Sequence, residues 1–285
     1  MKMLNIGCGA WRHPDWINLD LDPRSPDVIT LDATKGLPFD SNSVDACYSS
    51  HILEHLSREQ ANSFIGEQYR VLKHGGAIRV VVPDLERVCR LYLDYLDELK
   101  AGNNTVEFRY DYTLLELFDQ TTRDAPGGEL RAAWESLRPD NREYVLSRHG
   151  MAARIVLDHL QGRQSAAANQ ANVASGRHLF SKRTFRKLLK KGRTLAAQAA
   201  VSLLMGREGA RALRQGIFRN SGEIHRVMYD RFHLTRLLKS HGFVDIRVCA
   251  ADESRIPDFG RYQLDVVDGS VRKPDSLFVE GVKGS

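Results

Sequence analysis

The chain has little cysteine. Four residues in 285, Cys8, Cys47, Cys89 and Cys249, lie far apart with no Cys-x-x-Cys pair. That spacing excludes a zinc knuckle and a disulfide framework, and it fits a reducing cytosol. Long apolar runs are missing as well. The longest, about Thr194 to Met205, is shorter than the roughly 20 residues a bilayer span needs. The opening Met1-Lys2-Met3-Leu4 lacks the basic start, apolar stretch and small-residue cleavage site of a signal peptide. The expectation is a cytoplasmic protein, attached at most to the inner face of a membrane. No internal repeat is present. Acids are absent from one window: residues 176–220 hold twelve Lys and Arg against a single acid, Glu208, and so carry +11. The whole chain carries +5, so the remainder carries −6. A mildly acidic body with one strongly basic segment differs from a uniformly basic protein.

What is present is an alternation of strands and helices. β-branched and apolar content predicts strands at Met3–Ile6, Trp16–Leu19, Val28–Leu31, Ala46–Ser49 and Ala77–Val82. Between the last two, Ile52, Leu56, Phe64, Ile65, Tyr69 and Leu72 recur at helical spacing. A helix is expected from His51 to Lys73, ended by His74-Gly75-Gly76. Strands joined by crossovers and Gly turns predict a parallel α/β sheet. The pattern resumes with a helix over Tyr229–His241 and strands at Phe243–Ala250 and Leu277–Val282.

Residues 85–225 interrupt it. Leu85, Val88, Tyr92, Tyr95, Leu96 and Leu99 form one face of a helix, and further helical patterning follows to Leu160. Gln161–Ser175 reads as a flexible connector. The basic window then opens on a Ser181 N-cap, with Phe180 and Phe185 as a hydrophobic staple. Its helix places Phe185, Leu188, Leu189, Leu195, Ala196 and Ala199 on one face and Lys and Arg around the rest. That pattern suits a packed or solvated lid helix or an anionic membrane surface. Nucleic acid fits the charge, but no recognisable binding module accompanies it.

The first strand ends in Asn5-Ile6-Gly7-Cys8-Gly9, a turn at which a ligand can approach bare backbone. Asp20 ends strand two, where a carboxylate can accept from ribose hydroxyls. Asp32 follows strand three, where an acid can accept from an adenine amino group. A nicotinamide-binding reading lacks its third glycine and the helix that supports pyrophosphate. His51-Ile52-Leu53-Glu54-His55 matches the inverted zinc-peptidase pattern, but it follows a central strand of a nucleotide-binding array. It reads instead as His51 lining the cofactor pocket and His55 as a structural helix residue, with no metal required.

The ordered set Asn5–Gly9, Asp20, Asp32, Leu37–Phe39, Val44–Tyr48, His51–His55 and Arg70–Gly76 resembles the class I S-adenosylmethionine-dependent methyltransferases of the "methyltransferase 11" type. The likeness is close over residues 3–84 and looser over 226–283. Tyr48–His55, Pro83–Glu86, Gly222–His225 and Lys273–Glu280 are most similar to bacterial members encoded among polysaccharide-assembly enzymes. The resemblance implies a Rossmann-like sheet, mostly parallel with its last strand antiparallel, and a large mainly helical insertion after strand five. Residues 1–84 and 226–285 would form the cofactor-binding core. Residues 85–225 would form a lid and substrate platform. It also implies S-adenosylmethionine as cofactor, bound by Ile6, Gly7, Cys8, Gly9, Arg12, Asp20, Leu21, Asp32, Ala33, Ser49 and His51.

Two departures stand out. Only 11 residues separate Gly9 from Asp20, against about 20 when a full helix intervenes. Trp11, Pro14 and Trp16 predict a loop there, with Arg12 supplying the positive charge a helix N-terminus would otherwise offer the methionine carboxylate. Trp11 also occupies the usual third-glycine position and would wall the pocket. Transfer to a hydroxyl needs a base. His225, at the return from the insertion, is the candidate, with Asp84 or Glu223 orienting it or the acceptor. Arg123, the Pro126-Gly127-Gly128 turn, Arg142 and Arg148 are either acceptor contacts or solvated surface charges. The expected reaction is O-methylation of a sugar hydroxyl of a cell-surface glycan or its precursor. The alternatives are an RNA or small-molecule methyltransferase, or a catalytically silent cofactor-binding subunit of a glycan-assembly complex.

Overall fold

The computed structural model describes residues 1–23, 25–169 and 182–284. Seven strands form one sheet: β1 (Met3–Ile6), β2 (Ile17–Asp20), β3 (Ile29–Thr30), β4 (Val44–Ser50), β5 (Leu72–Pro83), β6 (Phe243–Cys249) and β9 (Ser276–Lys283). Their spatial order is β3-β2-β1-β4-β5-β9-β6. Neighbours from β3 to β5 pair in parallel, and β9 runs antiparallel to both β5 and β6. The short β7 (Val266–Val267) and β8 (Ser270–Val271) form a separate hairpin. The order reverses between β1 and β4. In an open α/β sheet, ligands bind at the strand ends beside such a reversal.

Alternate side chains along each strand serve opposite faces. Leu4, Ile6, Cys47, Ile78, Val80 and Val82 pack beneath α1 (Arg58–Val71) and α7 (Arg231–Ser240). Met3, Ala46, Tyr48, Ala77 and Val81 face the other way, against Trp16, Ile256, Phe259 and Tyr262. Aromatic residues of the loop after β1 and of the β6–β9 connection thus cover this face. The first crossover is a loop, as Trp11, Pro14 and Trp16 predict. Asn5 Nδ2 donates to Trp11 O (2.9 Å), and Asn18 Nδ2 donates to His13 O and Trp16 O (2.9 Å each).

The helix expected from His51 begins seven residues later. The chain leaves β4 through His51 in the left-handed region (φ 56°) and a 3-10 turn over Leu53–His55. Ser57 then caps α1. Its Oγ accepts from Gln60 N–H (3.2 Å), while its own N–H donates to Gln60 Oε1 (3.0 Å). The helix also ends early, because the backbone is already extended at Leu72, and β5 takes in the residues assigned to a glycine cap.

The segment between β5 and α7 is helical: α2 (Leu85–Lys100), α3 (Glu107–Thr122), α4 (Gly128–Glu135), α5 (Pro139–Asn169) and α6 (Lys182–Arg219). Tyr112, Leu130, Val145, Ala153 and Leu157 give this region an apolar core of its own. α5 breaks at Gly150 (φ 56°, ψ −133°). A Cβ there would lie 2.6 Å from Pro274 Cδ and 2.7 Å from Val271 O, so only glycine lets the helix settle against the strand that leads into β9. α5 also runs through the first nine residues of the expected connector, to Asn169. The rest of that connector, and the Ser181 cap with its Phe180 and Phe185 staple, fall outside the described residues. On α6, Leu195, Leu203, Leu204 and Met205 are exposed, Leu203 by 87%. Among the described residues no helix is long and apolar enough to cross a membrane.

Candidate active site

The C-terminal ends of β1, β2 and β4 meet at the Gly7–Gly9 turn. Gly7 and Cys8 N–H both donate to Leu19 O (2.7 and 3.1 Å), which ties the turn to β2. Both glycines have positive φ, but for different reasons. A Cβ on Gly7 would sit 1.9 Å from Ile52 Cδ1, so the missing side chain admits Ile52 rather than a ligand. A Cβ on Gly9 would meet nothing within 4 Å, and it is Gly9 that leaves backbone open. Asp20 shapes this turn too. Its Oδ2 accepts from Gly9 N–H (2.8 Å) and its Oδ1 from Asp22 N–H (2.9 Å), leaving a further lone pair on each oxygen. Ile6 lies opposite Ser49 in the β1–β4 register. The Ser49 hydroxyl is buried without a hydrogen-bond partner. An open Gly9 and an unpartnered hydroxyl, both at the strand reversal, fit a nucleotide-type cofactor. Burial pushes the nearby Cys8 thiol up to about 11.

The other expected cofactor contacts are placed less directly. Asp32 caps a 3-10 turn over Ala33–Lys35, accepting from Thr34 N–H (3.2 Å) and Thr34 Oγ1 (2.6 Å). It borders an open depression with Leu37 and Glu67. Ala33 packs against the core and Leu21 is exposed. Arg12 departs from expectation: its Nε donates to Asp27 Oδ2 (2.9 Å), so its charge is committed at the surface. Trp11 lies beneath the Arg272 guanidinium, 5.1 Å from the ring centre.

Beyond the ends of β4 and β5 lies a cavity of about 410 Å³, roofed by the insertion. Its floor is His51, Glu54 and His55, with Lys273 and Asp275 beside β9, and His225 on the returning chain. His51 is thus in this cavity. Its positive φ turns the side chain off β4, and its Nε2 lies 2.9 Å from Ser276 Oγ. Its Nδ1 lies 3.1 Å from Glu54 Oε1, outside hydrogen-bond geometry, so neither oxygen of the fully buried Glu54 has a hydrogen-bond partner. Burial raises the Glu54 carboxyl to about 8 and holds His51 well below the usual imidazole range. Burial, reinforced by His55, lowers His225 to about 3. Burial also lowers Lys273. Asp275 is held low in spite of burial, by His149 at 2.8 Å and by His51 and Lys273.

Two backbone stitches fix the floor to the returning chain. Arg226 and Val227 N–H donate to Glu54 O (2.7 and 3.2 Å), and His55 Nδ1 meets Ile224 O at 3.2 Å. The His55 and His225 rings consequently pack edge to face, 4.8 Å apart. Asp84 does not join them. It is the N-cap of α2, accepting from Arg87 N–H (3.1 Å), and the cavity wall does not include it. Glu223 does face the cavity, but Gly127 N–H (2.7 Å) and Arg123 (3.1 Å) occupy it. Of the basic residues singled out, Arg123 lines the cavity, Arg148 is buried on Glu116, and Arg142 pairs with Asp158 at the surface. Sequence reasoning passed over Glu54, Lys273 and Asp275 as site residues. All three stand inside quoted motifs, but only the fold joins residue 54 to residue 273.

Residues 12–80 match the family model of a methyltransferase domain. A search of curated proteins finds no match. Three solved structures illustrate the similarity. A putative methyltransferase in complex with the Trm112 methyltransferase activator of Haloferax volcanii is 21% identical over 35% of this chain, with TM-score 0.26. The chain spans about half of that protein, 51%. A SAM-dependent methyltransferase from Archaeoglobus fulgidus is 11% identical over 99% of this chain and 86% of its own, TM-score 0.38. Phosphoethanolamine N-methyltransferase 2 of Haemonchus contortus, in complex with S-adenosyl-L-methionine, is 14% identical over 100% and 49%, TM-score 0.27. The strand order is that of a Rossmann-like sheet with an open turn at its reversal point, and residues 12–80 of it match a methyltransferase domain, the family whose members use S-adenosylmethionine.

Proposed function

We propose that this methyltransferase acts on a sugar hydroxyl, in a cell-surface glycan or its precursor. The observation that carries the reading is the balance of the cavity wall. Arg123, Arg131 and Lys273 face Glu223 and Asp275 and the Glu54 carboxyl that burial keeps protonated, a net of about one positive charge, and Trp134 closes one side. A polyanion such as RNA draws affinity from a large cationic excess, which this wall lacks. A purely apolar acceptor would leave buried polar groups unpaired, at roughly 1–3 kcal/mol each. A compact polyhydroxyl molecule serves donors and acceptors together. The resemblance to enzymes encoded with polysaccharide assembly supports the same class.

When bound, S-adenosylmethionine supplies a methyl group made reactive by its sulfonium charge. The chain's own residues bind, align and move the proton. Gly9, Asp20 and Ser49 would hold the cofactor at the β1–β4 reversal, and Asp32 would accept from an adenine amino group. The insertion roofs the cavity, excludes water and aligns the acceptor. The floor receives the hydroxyl proton. Glu54, tuned by burial to about 8, is better matched to that task than Asp84, and His225 offers its unpartnered Nδ1 beside it. On α6, exposed Leu203, Leu204 and Met205 beside Arg207 and Arg211 support a reading in which the protein docks on an anionic membrane surface.

The test is methyl transfer from labelled cofactor to a panel of nucleotide sugars, glycans and RNA. Label in a sugar with equal release of S-adenosylhomocysteine supports the reading. Label in RNA alone overturns the sugar, and no product with any acceptor restores the catalytically silent alternative. Co-sedimentation with anionic but not neutral vesicles tests the membrane contact.

A further inference from the structure

We infer that Glu54, His55 and His225 form a binding site for one divalent first-row transition ion of the zinc class, at the floor of the cavity. Each of the three offers a donor atom, and these atoms lie within 4.8 Å of one another. Proximity alone would be weak grounds. What distinguishes this group is that its donors are not spent. Both Glu54 oxygens and His225 Nδ1 are buried without a hydrogen-bond partner, Glu54 being 0% exposed and His225 5%. His51 Nδ1 approaches Glu54 Oε1 to 3.1 Å without hydrogen-bond geometry, and a fully buried carboxyl lacking any hydrogen bond is costly unless something answers it.

The His55 tautomer points the same way. Its Nδ1 is taken by the Ile224 carbonyl at 3.2 Å, which leaves the Nε2 lone pair directed to the cluster, 3.9 Å from Glu54 Oε1. A backbone carbonyl on the far ring nitrogen is the usual way a ligating imidazole is oriented. The ligands are also held before any ion arrives. Glu54 O receives Arg226 and Val227 N–H, and His225 N–H donates to Gln120 O (3.0 Å). A tetrahedral ion with bonds of about 2.0–2.1 Å sets its donors about 3.4 Å apart. The side chains must therefore close by up to about 1.4 Å, while the backbone stays where its hydrogen bonds hold it. Two imidazoles and one carboxylate favour a borderline ion over magnesium or calcium, which prefer oxygen alone. The fourth position faces the cavity. Lys273 opposes the added charge and Asp275 offsets it.

A second grouping, Glu116, His149 and Asp275, meets the same distance limit. There the donors are largely committed: both Glu116 oxygens hold Arg148, and Asp275 Oδ2 holds His149 Nδ1. It is not proposed as a site. A bound ion would occupy the Glu54 and His225 atoms that receive the proton in the reading above, so any use of the ion to acidify an acceptor hydroxyl replaces that role and rests on the sugar reading; binding itself does not.

The test uses the full chain, stripped with chelator. Titration with Co²⁺, followed by visible absorption, and with Zn²⁺, followed by calorimetry, is expected to show one equivalent bound, with the spectrum of a low-coordinate, imidazole-ligated site. Glu54→Gln, which keeps the side-chain shape, and His225→Ala should each weaken binding at least about tenfold. His241→Ala, at the surface end of α7, should leave it unchanged and so exclude adventitious histidine binding. Circular dichroism and melting temperature confirm that the variants are folded, and Glu54→Gln decides if His225→Ala is not. Absence of a stoichiometric site, or wild-type affinity in folded Glu54→Gln, overturns the inference. Since binding is read without turnover, failure of the sugar reading leaves a positive result standing.

Discussion

Two buried ionic clusters lie one along β5 and one beyond its C-terminal end, and they are built on opposite terms. Around Arg79, which is 0% exposed, every donor is answered. Its Nε reaches Asp265 Oδ2 (2.7 Å). Its Nη1 reaches Glu280 Oε1 (2.9 Å) and Glu253 O (2.7 Å), and its Nη2 reaches Ala250 O and Ala251 O (3.3 and 3.1 Å). The guanidinium also lies between the Phe259 and Phe278 rings. Beyond the end of the same strand, both carboxyl oxygens of Glu54 and the Nδ1 of His225 are buried without a hydrogen-bond partner. A closed network holds the 250–265 loop to the sheet. An open one leaves interaction free energy for a ligand to collect.

The largest expected effect tests the closed side. Arg79→Met leaves Asp265 and Glu280 buried without their partner, and should cost about 3–5 kcal/mol of stability by urea denaturation. A cost below about 1 kcal/mol would show that the network is not structural. On the open side the pattern should invert. His225→Ala is expected to lower turnover by roughly a hundredfold or more, with a much smaller loss of stability than Arg79→Met. A variant with normal turnover removes His225 from the reaction.

A subtler contrast lies in pH. The Glu54 carboxyl titrates near 4.5 when unfolded and at about 8 in the fold. Between those values the folded chain keeps a proton that the unfolded chain has released. Stability therefore falls as pH rises through that window, by at most about 1.4 kcal/mol per pH unit from this group. Glu54→Gln should remove that component in chelator-treated protein, as measured by urea melts between about pH 5 and pH 8. His225 acts at the other end. Ordinarily near 6.5 and lowered to about 3, it costs stability as pH falls from 6.5 toward 3. The smallest effect belongs to Asp84. Asp84→Ala should cost about 1 kcal/mol as a lost helix cap, with turnover of the folded enzyme unchanged. A large loss of turnover would return Asp84 to the site.

The sheet was legible in the sequence because its strands carry continuous apolar runs that only a doubly covered sheet can bury. The cofactor turn was legible for a related reason: Asn5–Gly9 and Asp20 lie within one short crossover. The packing of Ile52 against Gly7 was not legible, because the two lie 45 residues apart. The late start of α1 was available in principle, since Ser57 and Gln60 spell a capping box, but apolar spacing from Ile52 onward outweighed it. An acid after a strand looks the same whether it faces a ligand or caps the next helix, and the structure shows Asp84 as the cap of α2. The Arg12 pairing with Asp27 was not expected from the sequence. The acceptor floor was the least legible part. Its members lie on three stretches of chain, and neither a hydrogen bond satisfied nor one withheld leaves a mark in residue spacing.

The stitches between Glu54 O and Arg226 and Val227 bear on how this enzyme can be rebuilt. The insertion reads as a replaceable module, entering at Leu85 and leaving near residue 225, and a chimaera that exchanges it for another roof is an obvious route to a new acceptor. The exit, however, is not a neutral splice point. Residues 224–227 carry the Ile224 carbonyl that orients His55, the His225 side chain itself, and the two N–H groups that bind it to the sheet. A graft joined before residue 224 imports a new roof onto an intact floor. One joined after 227 discards part of the floor with the roof, however well the foreign module folds.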